Sequence, residues 1–471
     1  MKTLSLALRN LLRNRRRSLM TLFAMVLGLA AVLLFGGYIR DLTYGLQTDF
    51  VNRSGHLQIQ HKGYFLYGSG NPAAFGIRDY ETVLATVKRD PVLAPMLVVA
   101  TPTLEFGGIA GNFAAGVSRT VYASGSVVED QSRMLDWNDY GLRELKKPLT
   151  LAGTKPDAAV IGIGVARVLQ LCAALNVSNC APPEEAPPKA ARGDKPVIGL
   201  PDDIAALSSK AEPMGPPAEG VSPSRIEILA ASARGAPNVA AVNVVRAEFQ
   251  GSKELDDVFI ALHLPQAQKL VFGNGPPQAT AIALQLQHTA QMPQAQARLE
   301  ELLGSTLKDR PLEILDYETL NPFYGQTRSM FAAIFGFMAV LIGSVVLFTI
   351  SNTMSMTVVE RTVEIGTVRA LGLRRRGIQQ MFLAEAVVLG TAASLLGVLA
   401  ALVGAWLINL LNLTWIPPGR VEAVPLTVRV AGEYAMMLAS AAGLVVVASI
   451  SAILPATRAS RMNIVDALRH V

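Results

Sequence analysis

Four long uncharged stretches punctuate the chain, at Ser18–Ile39, Ser329–Val359, Ala386–Gly419 and Tyr434–Thr457. Each reaches the about 20 apolar residues that an α-helix needs to cross a bilayer core, where a helix satisfies its own backbone groups. They predict transmembrane helices at 18–39, 329–359, 386–413 and 434–457, one followed by three. The first stretch follows basic residues as a signal peptide does, but its apolar core outlasts the roughly 7–15 residues of one, so it reads as an uncleaved anchor. The second would reach about 46 Å as a continuous helix against a core of about 30 Å. It therefore either protrudes as a stalk or tilts in the bilayer.

Between the first and second stretches, residues 40–328 alternate strand-like and helical patterns, which predicts a large mixed α/β domain. Its length suggests two subdomains. The two ends of this segment are both tied to membrane spans, so residues 41–90, with the strand-like "HLQIQ", are expected beside residues 281–317. The latter hold the helical pattern "AQARLEELLGSTL" and then "PLEILDYETL", a strand and turn. The runs "NVVRAEF" and "VFIALHL" read as strands of the middle portion. Residues 181–223 contain ten of the 27 prolines, and such a stretch predicts an exposed insertion without a core.

Charge sets the orientation. Lys2, Arg9, Arg13, Arg15, Arg16 and Arg17 precede the first stretch, Arg361, Arg369, Arg374, Arg375 and Arg376 lie between the second and third, and Arg458, Arg461 and Arg469 follow the fourth. Basic residues near a span favour the cytoplasmic side. Both termini and the 360–385 connection are thus expected in the cytoplasm, and 40–328 and the 414–433 connection outside a bacterial inner membrane. Leu4, Leu8, Leu11 and Leu12 at helical spacing, with Arg9, Arg13 and Arg16 on the other side, suggest that 1–17 is an interfacial helix. The net charge of +6 divides unevenly, with 26 Lys/Arg against 30 Asp/Glu in 40–328 and the excess in the cytoplasmic pieces. Basicity is then a consequence of topology, and a nucleic-acid partner is disfavoured.

The chemistry of a catalytic site is missing from the sequence. It contains no G-x-x-x-x-G-K-[ST], no H-E-x-x-H and no G-x-S-x-G. Neither a cofactor nor a metal is expected, and the "GIG" of Gly162–Gly164 reads as tight packing at a helix start. Glu385, at the edge of the third stretch, is placed to pair with an arginine of the preceding connection. Cys172 and Cys180 fall in the outer segment, where an oxidising compartment would favour a disulfide, two free thiols being the other reading.

The connection after the second stretch reads "SNTMSMTVVERTVEIGTVRALGLRRRGIQQMFLAEA". Its spacing predicts a short amphipathic helix with Val358, Ile365, Val368 and Leu371 on one face, stopped by Gly372. This stretch, with the terminal "LPATRASRMNIVDALRH", resembles the MacB/FtsX-like family of ABC transporter permeases, which includes lipoprotein-releasing permeases. The family's "ER..EIG..RALG" pattern is matched by Glu360, Arg361, Glu364, Ile365, Gly366, Arg369, Ala370, Leu371 and Gly372. Its C-terminal pattern is matched by Pro455, Arg458, Ala459, Val465, Ala467, Leu468 and Arg469, and "VIGIGVARVLQL" is a looser match to a strand-helix element.

The resemblance implies a coupling helix built on Glu360, Arg361, Glu364, Ile365, Gly366, Arg369 and Gly372, docked on a separate cytoplasmic ABC ATPase. It further implies a second permease copy or paralogue and two ATPase subunits. Nucleotide-driven movement would then reshape the outer domain and act on lipoprotein, lipid or other amphipathic cargo. Asn463 with Asp466 looks like the cap of a terminal helix within 458–471. A drug or peptide efflux permease feeding a periplasmic adaptor is the near alternative. A scaffold that switches an envelope hydrolase, and a sensor without an ATPase, are the readings from other classes.

Overall fold

The computed structural model describes residues 15–142, 149–177, 222–232, 236–251, 253–416 and 423–463. The interfacial helix expected at 1–17 and the proline-rich insertion lie almost wholly outside these residues. The chain divides into a helical unit, formed by residues up to Leu46 and from Phe323 onward, and an α/β unit between Gln47 and Pro322.

Helix α1 (Arg15–Ser54) is the first described element, and it continues well past the span end expected at Ile39. No proline interrupts it, and the helix stops only at Gly55, whose φ is +77°. A Cβ there would fall 2.7 Å from the Leu284 carbonyl oxygen, so both the left-handed backbone and the close approach call for glycine.

The α/β unit is organised by one nine-stranded sheet. Its strands are β1 (Leu57–His61), β2 (Leu97–Asn112), β3 (Val117–Ser126), β4 (Ala158–Gly162), β5 (Arg225–Ala231), β6 (Pro237–Glu248), β7 (Phe259–His263), β8 (Ala281–Leu286) and β9 (Leu312–Asp316). They lie in the order β3-β7-β4-β6-β5-β2-β8-β1-β9, and β2 also pairs with β3. That extra pairing closes β3, β7, β4, β6, β5 and β2 into a ring, while β8, β1 and β9 extend from β2 as an open flank. The long β2 serves both parts, pairing with β8 through Leu97–Thr103 and with β5 through Gly108–Gly111.

Two apolar cores follow. Alternate residues of the ring strands, among them Leu104, Phe106, Val121, Ile161, Ile228, Val244, Ile260 and Leu262, join one core. The helices α3 (Ile163–Val168) and α4 (Leu264–Phe272) add Val165, Ala267 and Leu270 to it. The second core combines Leu57, Ile59, Ile282 and Leu284 of the flank with Tyr80, Val83 and Val87 of α2 (Tyr80–Arg89) and Leu299 and Leu302 of α5 (Met292–Gly304). One sheet thus carries both cores. The expected meeting of the segment's two ends is seen in β1, which pairs with β8 on one side and β9 on the other. The "GIG" glycines pack as expected, for a Cβ at Gly162 would strike the Asp256 carbonyl. The Asp256 carboxylate accepts the Ile163 and Gly164 N–H groups at 2.8 and 3.0 Å.

The helical unit continues with α6 (Pro322–Glu360), α7 (Thr362–Ala370), α8 (Arg375–Leu410) and α9 (Tyr434–Arg461). Helices α1, α6, α8 and α9 are each long and apolar enough to cross a membrane. Helix α8 begins at Arg375 rather than Ala386, because Ile378 and Phe382 give its charged first turns a buried face. Arg458 and Arg461 lie in the last turn of α9, where cations complement the exposed carbonyls. Asn463 is described; Asp466 and the rest of that expected helix lie outside the described residues.

Small residues set the helix spacing. A Cβ at Gly28 of α1 would meet Val346 of α6 at 3.1 Å, one at Gly397 of α8 would meet Leu29 of α1 at 2.9 Å, and one at Gly390 would meet Ala448 of α9 at 3.1 Å. Thr21 also donates from Oγ1 to Thr353 Oγ1 at 3.0 Å. Beyond α8, the pair β10 (Thr414–Trp415) and β11 (Val424–Pro425) leads to a chain segment that returns to α1. Arg429 pairs with Asp41 at 3.4 Å and Glu433 with Arg40 at 3.2 Å, while Tyr44 donates its hydroxyl to Glu433 at 3.2 Å.

Gly397→Leu should force α1 and α8 apart, since the Leu29 side chain would have to leave its site. Overpacking of this kind costs about 1–3 kcal/mol, and a lowered thermal midpoint of the full-length protein in detergent, not shared by Gly443→Leu at an open position, is the expected outcome.

Acid should loosen the β1–β8 flank. His56 Nδ1 accepts the Leu286 N–H at 3.0 Å, so Nε2 carries the proton and faces Thr289 Oγ1 at 3.2 Å. Burial lowers the His56 pKa to about 4. The neutral ring is therefore fully favourable above the unfolded-state pKa of about 6.5, and on acidification about 3 kcal/mol is lost between there and the folded value. Hydrogen exchange of the β1 and β8 amides should rise as pH falls through this window once corrected for intrinsic rates, and His56→Gln should flatten that dependence.

Candidate coupling site

The connection from α6 to α8 is built from hydrogen-bonded turns at both ends. Arg361, with φ −102° and ψ 17°, breaks the helix between α6 and α7. Its N–H still donates to Thr357 O at 3.1 Å, and Ile365 N–H donates to Arg361 O at 2.9 Å. Thr362 Oγ1 lies 3.1 and 2.8 Å from the carbonyl oxygens of Val358 and Val359. At the other end Gly372 has φ +96°. Its N–H donates to Arg369 O at 3.0 Å, and the Leu373 N–H donates to Val368 O at 3.2 Å. These two bonds make a Schellman cap, the use of a left-handed glycine that ends many helices. Arg374 then stands at the start of α8.

Helix α7 has two dissimilar faces. Arg361, Thr362, Ile365 and Gly366 are buried, and Ile365 joins Val358, Ile378 and Phe382 in the apolar core of the helical unit. Glu360, Val363, Glu364, Thr367, Val368 and Leu371 are exposed, followed by exposed Arg374, Arg375 and Arg376. The single apolar face expected from spacing is therefore divided. Val358 and Ile365 point into the core, while Val368 is 41% and Leu371 83% exposed. At about 100° per residue Leu371 lies about 120° around the axis from Ile365, too far to share a narrow inward face, while Val358 and Ile365, seven residues apart, do share one.

The implied coupling residues part in the same way. Glu360 and Glu364 lie on the outward face, and Ile365 and Gly366 are in the interior. Arg361 is 3% exposed, which removes it from a docking surface; its Nη1 lies 3.6 Å from Glu385 Oε2 on α8. This is the pairing that the position of Glu385 suggested. Arg369 is half-buried, and its Nη1 donates to the Met462 carbonyl oxygen just after α9. Gly372 forms the cap. Sequence reasoning placed these charges together but did not separate inward from outward ones, which the burial pattern along α7 does. In the α/β unit Cys172 is disulfide-bonded, and Cys180 lies outside the described residues. Among the described residues no group of three or more His, Cys, Asp or Glu side chains is arranged to hold a metal ion.

Residues 333–464, which contain most of α6 and all of α7, α8 and α9, match the model of the FtsX-like permease C-terminal family. The chain is 31% identical over 196 residues to the uncharacterized ABC transporter permease YvrN of Bacillus subtilis, covering 41% of this chain and 44% of that protein. It is 29% identical over 199 residues to the macrolide export ATP-binding/permease protein MacB of Bdellovibrio bacteriovorus, 40% of this chain and 28% of that one. It is 30% identical over 222 residues to the pyoverdine export ATP-binding/permease protein PvdT of Pseudomonas fluorescens, 46% of this chain and 31% of that one. These matches support the resemblance to the MacB/FtsX-like ABC permease family over the part of the chain that they cover. It spans less than half the length of each of these curated relatives. Its four long apolar helices and the permease-domain match fit a membrane protein, with a mixed α/β domain between the first and second of those helices.

In this permease-family domain the cap at Gly372 fixes where α7 ends and α8 begins. Gly372→Ala would place a Cβ on a left-handed backbone at a cost of about 1–2 kcal/mol. Amides of α7 in the full-length protein should exchange faster by roughly tenfold, with α9 unchanged.

Proposed function

We propose that this chain is the permease subunit of a mechanotransmitting ABC system in a bacterial inner membrane. Its termini and α7 would face the cytoplasm and its α/β unit the extracytoplasmic side. A separate cytoplasmic ABC ATPase docks on α7, and ATP binding and hydrolysis there drive movement of α1 and α6, which lead into the α/β unit. The observation that carries this reading is the two-sided character of α7. One face is locked into the helical unit, and the other presents Glu360, Glu364, Val368 and Leu371 outward beside Arg374–Arg376. A surface holding both charge signs around exposed apolar side chains suits a protein partner, with the ion pairs fixing orientation more than adding affinity. The 471-residue sequence holds no phosphate-cradling motif, which supports the reading that a partner hydrolyses ATP.

The cargo is extracytoplasmic and amphipathic, a lipoprotein or lipid released from the outer leaflet or a small molecule handed to a periplasmic adaptor. The names of the MacB and PvdT relatives, for macrolide and pyoverdine export, favour the adaptor version. A second permease copy or paralogue completes the assembly.

Affinity purification of the full-length protein in mild detergent, with ATP hydrolysis measured in the same sample, tests the docking. An ABC ATPase should co-purify, and Glu364→Arg, an exposed change that leaves the buried face intact, should lower its recovery at least about tenfold by opposing the charge arrangement. An intact permease that retains no ATPase would overturn the reading and bring forward the scaffold for an envelope hydrolase.

A further inference from the structure

The buried side of α7 holds a charge that docking does not use. The Arg361 and Glu385 side chains are 4% and 6% exposed, and Nη1 and Oε2 stand 3.6 Å apart. Val358, Ile365, Ile378 and Phe382 lie in the same apolar cluster of the helical unit. In such surroundings removing one partner leaves an uncompensated buried charge, and the loss is large even where the pair adds little net stability. Arg361 occupies the one irregular residue between α6 and α7, whereas Glu385 lies on α8. Helix α7 is tied at its other end as well, by the Arg369 bond to the Met462 carbonyl, and Gln379 of α8 donates to Ser460 of α9 at 3.3 Å.

We propose that Arg361 and Glu385 are positioning residues that clamp the start of α7 to α8, so that a displacement imposed on the outward face of α7 passes into α8. Without the clamp, the break at Arg361 would act as a hinge and absorb the movement. Apolar contacts alone would let α7 slide or roll over α8 with gradual loss of contact. A buried ion pair resists because separating its members exposes each to an apolar environment. The pair therefore makes the connection stiff in the direction that matters and leaves Glu360 and Glu364 to face a partner. The source of the displacement rests on the coupling reading given above; the clamp is a property of this chain alone.

The test compares hydrogen exchange of the full-length protein in lipid nanodiscs. With Glu385→Gln, amides of residues 362–371 should exchange about tenfold faster or more, with α1 and α9 unchanged, and the double variant Arg361→Glu/Glu385→Arg should restore slow exchange. Unchanged exchange at 362–371 would overturn the clamp, as would faster exchange throughout the helical unit that the swap fails to correct, which marks ordinary packing. A second readout uses the ATPase that co-purifies, with ATP and vanadate. The wild type should then change exchange in both α7 and residues 378–385, whereas Glu385→Gln should retain the ATPase and confine the change to α7. Transmission to residues 378–385 undiminished in Glu385→Gln would also overturn the proposal. Absence of any ATPase from the wild-type preparation would strike the docking reading, and the nucleotide-free comparison would still decide the clamp.

Discussion

Helices in lipid gain little by hiding apolar side chains from one another, because the surrounding acyl chains are as apolar as leucine; they associate through close packing and interhelical hydrogen bonds. The helical unit depends on this constraint. Gly28, Gly390 and Gly397 remove side chains where α1 meets α6, α8 meets α9 and α8 meets α1. Ser394 adds a hydrogen bond from α8 to the Ala441 carbonyl of α9 at 3.1 Å. The core that results brings Met25, Leu29 and Leu33 of α1 together with Ile350, Phe382, Ala393 and Ala452. The position of α7 follows from that core, because its inward face has nowhere else to bury Ile365.

The α/β unit solves a different problem in water. Closing six strands through the β2–β3 pairing removes the edges that an open sheet would leave, and the long β2 lets the same sheet continue into a flank that receives the chain from α1. On that flank Asp90 joins two elements. It accepts the Val92 and Leu93 N–H groups at 3.0 Å each, and the Arg298 guanidinium of α5 pairs with it at 2.8 Å. The Arg298 hydrogen bonds are the largest cause holding the Asp90 carboxyl below its usual range. Its stabilising contribution is therefore present above the ordinary carboxylate pKa and is lost as pH falls through the folded value.

Much of this was legible in the sequence, and the limits are physical. Uncharged runs marked α1, α6, α8 and α9 because bilayer length demands them, and "HLQIQ" and "PLEILD" marked β1 and β9 by alternation. The ends of α1 and α8 were misplaced for a common reason. Hydropathy reports where a helix would be apolar, and both helices continue into polar sequence until a glycine or a loop residue stops them. The single sheet was hidden because its ring is closed by a pairing between strands that sequence pattern treats separately from β1 and β8. Nothing local in the sequence shows that Arg429 and Glu433 pair with Asp41 and Arg40 on α1.

The coupling segment shows most directly what a sequence motif leaves undetermined. The run of Glu360, Arg361, Glu364 and Arg369 reads as one charged surface, yet burial divides it into groups with opposite requirements. Arg361 needs a counter-charge because it is buried, and Glu385 supplies it. Glu360 and Glu364 are exposed, where an ion pair contributes only about 0–1 kcal/mol, so they add little to the stability of this chain. The short helix thus has its inward side fixed by packing and its outward side exposed. The helix break and the glycine cap bound α7 on either side and so limit it to the two or so turns that carry this division.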